Sequence, residues 1–188
     1  MKFLKLSLAS LAVSTALFAG NYNIDASHTN AGFTVKHMMI TNVTGKFNDV
    51  AGSFEFDEKT KTLKSISGEI VTASIDTANE KRDEHLKSDD LFGVEKFPKI
   101  TFKSTKIEKN KVQGELTIKG VTKAVTLDLE TSDVIKDPWG KQRTGFSLNG
   151  KIKRSDFGIT WNKALETGGV AVSDEVKLSV DIEGILVN

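Results

Sequence analysis

The sequence predicts an all-β chain that closes into an eight-stranded antiparallel up-and-down barrel, with one short helical insertion between strands 3 and 4. Three observations carry this. Apolar and polar residues alternate with period two through eight separate segments, the spacing of strands with one dry face. Most links between those segments are short, as consecutive antiparallel neighbours require. Only between the third and fourth segments does the spacing change to that of a capped helix. Eight one-faced strands can hide their apolar sides in a sandwich or in a closed barrel, and closure also removes the edges that invite aggregation.

The segments lie near residues 31–38, 45–57, 63–75, 99–108, 111–119, 122–134, 142–153 and 174–187. In Lys111 to Lys119, Val112, Gly114, Leu116 and Ile118 share one face against Gln113, Glu115, Thr117 and Lys119. Val125, Leu127 and Leu129 repeat the pattern, as do Val176, Leu178, Val180 and Ile182. Lys119-Gly120 reads as a hairpin turn. Asn149-Gly150 carries the same turn signal, but the strand left after it would be too short to pair, so one strand runs through it. Thr77 and Glu80 stand at capping-box spacing, which predicts a helix from Ala78 to about Lys87 with Ser88 as a second cap. So brief a helix is marginal alone; Leu86, Leu91, Phe92 and Phe97 give it an apolar footing across one barrel mouth.

A barrel of eight is just filled by its own side chains or holds one ligand. Phe33, Phe54, Phe102 and Phe146 are large, while Gly68, Thr72, Ser74, Gly114 and Gly150 are small. That mixture suits an elongated cavity and equally a tapering barrel with none.

The first nineteen residues, MKFLKLSLASLAVSTALFA, have the charged start, short apolar run and small-residue end of an export signal. The domain is therefore expected over residues 20–188, in exported form, and no later segment reaches the roughly 20 apolar residues of a membrane helix. Removing Lys2 and Lys5 from the 26 basic residues leaves one fewer than the 25 acidic ones, a formal charge of −1. A nucleic-acid partner, which needs a concentrated positive surface, is not expected. With no cysteine, the fold rests on burial and hydrogen bonding alone.

Little points to catalysis. There is no cysteine nucleophile and no G-x-S-x-G, and His28, His37 and His85 lack common zinc spacing. Glu84-His85 resembles the start of a zincin motif, but Ser88 stands where its second histidine belongs. No catalytic residue, no metal and no cofactor are expected.

Six ordered motifs carry a resemblance: SHTNAGFTVKHMMITNVTGKF (27–47), RDEHL (82–86), FPKITFKST (97–105), GELTIKGVTKAVTLDL (114–129), DPWG (137–140) and RSDFGITWN (154–162). Together they closely resemble the YceI-like family of exported polyisoprenoid-binding proteins. The resemblance implies a periplasmic, lipocalin-like barrel whose tunnel holds a long-chain lipid such as a polyisoprenoid, an isoprenoid quinone or a fatty-acid derivative, with homodimers in several members. On that reading Phe33, Phe54, Ile100, Phe102, Leu116, Ile118, Leu127 and Phe146 form the apolar wall. Phe92, Trp161 and the pliable Met38-Met39-Ile40 complete it. His37, Arg82, Asp83 and His85 are expected at the mouth or on the head group, and the Arg82–His85 cluster serves equally as a structural clasp. Trp139 is expected to pin a turn. Thr44, where many members carry a basic residue, weakens the case for a pyrophosphate head. The alternative function is a filled barrel acting as a non-catalytic interaction or stress-response module.

Overall fold

The computed structural model describes residues 19–166 and 168–187, so the expected export signal lies outside the described residues apart from Ala19. Its strands are β1 (Ala19–Ile24), β2 (Asn30–His37), β3 (Thr41–Phe47), β4 (Val50–Asp57), β5 (Thr62–Val71), β6 (Ile75–Asp76), β7 (Lys99–Glu108), β8 (Lys111–Ile118), β9 (Val121–Thr131), β10 (Ile135–Lys136), β11 (Gln142–Lys153) and β12 (Val172–Leu186); the helix α1 is Glu80–Lys87. Strands β11, β12, β1, β4, β5, β7, β8 and β9 pair in that order and β9 returns to β11, so eight antiparallel strands close a ring.

The first predicted strand matches β2 but lacks the piece ahead of it, β1, and the second and third predicted strands are each broken. β1 and β2 lie one after the other along β12, with Tyr22 opposite Leu186 and Phe33 opposite Leu178. β3 and β4 follow them in turn, separated by Asn48-Asp49, and a single 3-10 turn at Thr72–Ser74 divides β5 from β6. The first strand therefore begins at Ala19 rather than 31 and the second at Thr41 rather than 45. β1 has only six residues before the Asp25-Ala26-Ser27-His28 turn, and Gly45 interrupts the apolar row of β3; both weaken the period-two signal. β11 runs unbroken through Asn149-Gly150.

The ring parts in one place. β6 pairs only with β3, β7 pairs with β5 no further than Val71 opposite Lys99, and the chain between them leaves the sheet carrying α1. The helix starts at Glu80, not Ala78, because Asn79 and not Thr77 caps it: Asn79 Oδ1 accepts from Arg82 N at 3.0 Å. Ser88 closes the other end, its hydroxyl donating to His85 O at 2.7 Å.

The interior has two unlike halves. In one, Tyr22 stacks on Phe54 at 5.2 Å and Phe146 meets Phe54 edge-on at 5.0 Å, with Phe56, Leu63, Val112 and Leu127 packed around them. Gly184 makes this possible, since a Cβ there would lie 2.4 Å from the Phe54 ring. The Tyr22 hydroxyl donates to Glu58 at 3.0 Å, and burial first, then that carboxylate, pushes its pKa up to about 12. Phe102, Val125, Leu178 and Val180 touch both halves and form a septum. Beyond it, around Phe47, Ile100, Leu116, Ile118 and Phe157, the packing opens into a cavity.

On the outer wall of the sealed half, Arg143 donates to Asp137 and Asp25 at 2.7 Å and to Glu183 at 2.6 Å. Asp25, His28 and Glu183 bring metal-ligating atoms within 4.8 Å of one another. The guanidinium already occupies the two carboxylates, so this cluster is an ion-pair network joining the strands around β1, β11 and β12.

Candidate functional site

The cavity has a volume of about 320 Å³, at the lower end of the range for small-molecule sites. Alternation builds most of its wall. Phe33, Val35 and His37 point inward from β2, Val43 and Phe47 from β3, and Val172, Val176 and Leu178 from β12. Ile100, Ile118 and Ile152 add one residue each from β7, β8 and β11. The 77–98 segment covers one side with Leu86, Leu91 and Phe92, and the stretch after β11 supplies Phe157, Ile159 and Trp161. Gly45 lets Phe33 lie flat over β3, for a Cβ there would meet its ring at 2.4 Å.

Against this apolar wall stand His37, Arg82, His85 and Arg154, with Thr77 and no carboxylate among the lining residues. Arg154 is only 8 % exposed. Its guanidinium donates to the carbonyls of Ile159 (2.9 Å), Trp161 (2.8 Å) and Ser173 (3.0 Å), all neutral acceptors. The nearby carboxylate of Asp174 is taken by the backbone N–H and hydroxyl of Ser155 at 3.0 and 2.8 Å. Burial accordingly pulls the Arg154 pKa below its ordinary value, opposed by Asp174, yet an arginine stays charged in a protein. The cavity thus has a fixed cation in its wall.

Thr77 is the knot of the opposite side. Its backbone N–H and hydroxyl donate to Asp83 Oδ1 at 3.0 and 2.5 Å, while its hydroxyl and carbonyl accept from Arg82 Nε and Nη2 at 2.7 and 2.6 Å. Arg82 and Asp83 therefore clasp α1 to the strand end before it. Asp83 is spent on Thr77 and does not line the cavity, so it takes the clasp position and not the expected place at the mouth; Arg82 does both. His85 meets Trp161 edge-on at 4.8 Å, joining the helix to the loop across the opening.

Of the expected wall, Phe33, Phe92, Ile100, Ile118 and Trp161 line the cavity, as do His37, Arg82 and His85 of the expected mouth. Phe102 stands in the septum and Leu116 packs behind the wall. Phe54, Leu127 and Phe146 lie in the sealed half, so the expected tunnel is a pocket closed at one end. Met38, Met39 and Ile40 are outside it, on an exposed turn. Thr44 faces outward between Val43 and Gly45, so it says nothing about a head group inside. The sequence reading missed Val35, Val43, Phe47 and Ile159, which the alternation outward from Phe33 would have included in part, and Arg154, whose partners are backbone atoms that no motif reveals. Trp139 is 81 % exposed; its backbone N–H, not its ring, holds the turn through Asp137 Oδ1 at 3.0 Å.

Comparison with known proteins matches residues 22–184 to the YceI-like domain. A UPF0312 protein of Staphylococcus aureus is 42% identical over 164 residues, 87% of this chain and 96% of that protein. The crystal structure of the Campylobacter jejuni YceI protein covers 100% of both chains at 34% identity with a TM-score of 0.70. A polyisoprenoid binding domain from Saccharophagus degradans shares the fold at 15% identity and a TM-score of 0.66, over 88% of this chain and 98% of that one.

Proposed function

The chain belongs to the YceI-like family, and from that premise we propose that it is an exported, non-catalytic carrier that buries the apolar end of a long-chain amphiphile in its cavity. An isoprenoid, an isoprenoid quinone or a fatty-acid derivative fits this reading. The observation that carries it is the composition of the wall: apolar side chains with two arginines and two histidines among them and no carboxylate. Such a wall favours a ligand whose one polar end is anionic or rich in lone pairs, since the buried Arg154 donates only to neutral carbonyls while the nearby Asp174 carboxylate is held by Ser155. The related fold named for polyisoprenoid binding supports the same class. The family match and the neighbour named for polyisoprenoid binding support a binding protein rather than an enzyme.

Apolar burial contributes roughly 0.8 kcal/mol per methylene, so a chain of modest length is held without exacting polar contacts. A wholly filled barrel does not describe this interior, since only the sealed half is filled. Native mass spectrometry with organic extraction tests the proposal, and cell fractionation tests export to the periplasm. The expected result is a stoichiometric lipid in the wild-type protein and its loss in Val35→Trp, which fills the cavity while circular dichroism stays unchanged. A wild-type protein that neither retains a lipid nor takes up prenyl, quinone or fatty-acid probes overturns it.

A further inference from the structure

The hairpin between β2 and β3 is built against local preference. Ile40 N donates to His37 O at 2.9 Å, closing a β-turn within the three-residue connection, and its central residues, Met38 and Met39, have φ of 47° and 60°. Asn-Gly suits this left-handed pair of positions, whereas side chains with a Cβ meet steric cost there. The three side chains are nonetheless largely in solvent: Met38, Met39 and Ile40 are 42, 56 and 81 % exposed. The sequence thus spends turn stability on three apolar side chains in solvent.

Their place is the rim of the cavity. His37, which opens the turn, lines the wall, and Met38 N donates to Ala171 O at 2.8 Å, beside the lining residues Ala171 and Val172. Met39 Cγ lies 3.8 Å from where a Cβ on Gly169 would stand, so the chain at Gly169–Ala171 flanks the turn. From Ala31 to Phe47 there is no carboxylate, that segment and residues 162–171 together carry Lys36, Lys46 and Lys163 with one acid, Glu166, and of the acids just beyond them Asp174 is held by Ser155 and Glu175 pairs with Lys151. The rim is therefore apolar at its tip and basic at its base.

We propose that the Met38–Ile40 turn, with the loop beside it, is a docking tip that seats the cavity mouth against the anionic surface of a lipid bilayer. Charge and size favour this occupant. A stable dimer needs about 800 Å² from each partner, more than three side chains on a turn present, whereas shallow and reversible insertion of a few apolar groups assisted by cations is how peripheral proteins hold a bilayer. The purpose of such docking rests on the carrier reading, because it lets a water-insoluble ligand pass between bilayer and cavity without crossing water.

Cosedimentation of the full protein with phosphatidylglycerol/phosphatidylethanolamine vesicles, against pure phosphatidylcholine vesicles, tests it. Wild type is expected to partition preferentially to the anionic vesicles and to lose that preference in high salt. Met38→Asn/Met39→Gly relaxes the turn and removes the tip, so thermal stability should be kept or raised while vesicle partitioning falls about tenfold, each buried methylene being worth roughly a fourfold change. Lys163→Gln should weaken binding to the anionic vesicles alone. Residues before Ala19 are common to all these proteins, so the differences read the rim. Equal binding by the double variant overturns the proposal, as does a wild type that ignores vesicles, or one whose turn instead holds a dimer that the double variant dissolves. Failure of the carrier reading is seen separately, as absence of extractable lipid with vesicle binding intact.

Discussion

Arg154 shows how one residue can serve fold and site together. Its side chain crosses the base of the 159–172 loop and satisfies carbonyls of Ile159, Trp161 and Ser173, while its charge faces the cavity. Removing it orphans several buried acceptors, each costing about 1–3 kcal/mol. Arg154→Met should therefore destabilise the protein by about 3 kcal/mol or more in urea unfolding, and Arg154→Lys, which keeps the charge but not the fork, by less. A head group held by this cation predicts that the lysine variant retains more extractable lipid per folded molecule than the methionine one. Sequence could supply the residue, inside RSDFGITWN, but not its burial, because its partners lie up to nineteen positions away and are main-chain atoms. The reverse holds at Gly184. Its place in the apolar row of the last strand was readable, yet only the structure shows that it admits Phe54, and Gly184→Ala should cost about 1–3 kcal/mol through overpacking.

The strands were legible as elements because alternation survives in each long segment. What alternation lacks is the identity of the neighbour and the place where a strand breaks, which is why β1 and the breaks within the second and third strands were missed. The neighbour does not change at these breaks: β1 and β2 both pair with β12, and β4 and β3 pair with them in turn. The helical insertion was legible from its caps, but the capping logic went to the wrong residue: Asn79 takes the cap and leaves Thr77 free to tie Asp83 to Arg82. Thr77→Val keeps the shape and deletes the hydroxyl from that knot. Its expected cost is about 1–2 kcal/mol, and hydrogen exchange should accelerate over Glu80–Ser88 while β8 and β11 stay protected. A carrier whose helix covers the cavity should also release bound lipid to acceptor vesicles faster in this variant. Uniform acceleration across the barrel would instead mark Thr77 as part of the global core.

Across the whole molecule the two halves divide the work: one is packed to hold the barrel shut and the other is left open. The expectation of a continuous tunnel failed at this scale, because inward-facing phenylalanines look alike in sequence whether they close a core, as Phe54 and Phe146 do, or edge a cavity, as Phe33 does. The same division predicts that stability can be changed from the sealed half without touching the site. Hydrogen bonds from Ser27 first, then His28 and Arg143, hold the Asp25 carboxyl well below its usual range, and Arg143 does the same for Asp137. A carboxyl whose folded pKa is depressed adds stability above its unfolded pKa of about 4, and that stability is lost as pH falls through the range below it. The melting temperature should therefore drop between pH 5 and pH 3. Arg143→Met removes the shared partner and leaves Asp25, Asp137 and Glu183 crowded as like charges, which raises rather than lowers their proton affinity. The wild-type advantage over this variant should be largest near pH 7 and shrink as pH falls below about 4; an unchanged gap would mean that the network is not what couples stability to pH. Because the network lies across the septum from the cavity, the fraction of Arg143→Met that remains folded at pH 7 should carry the same lipid load as wild type.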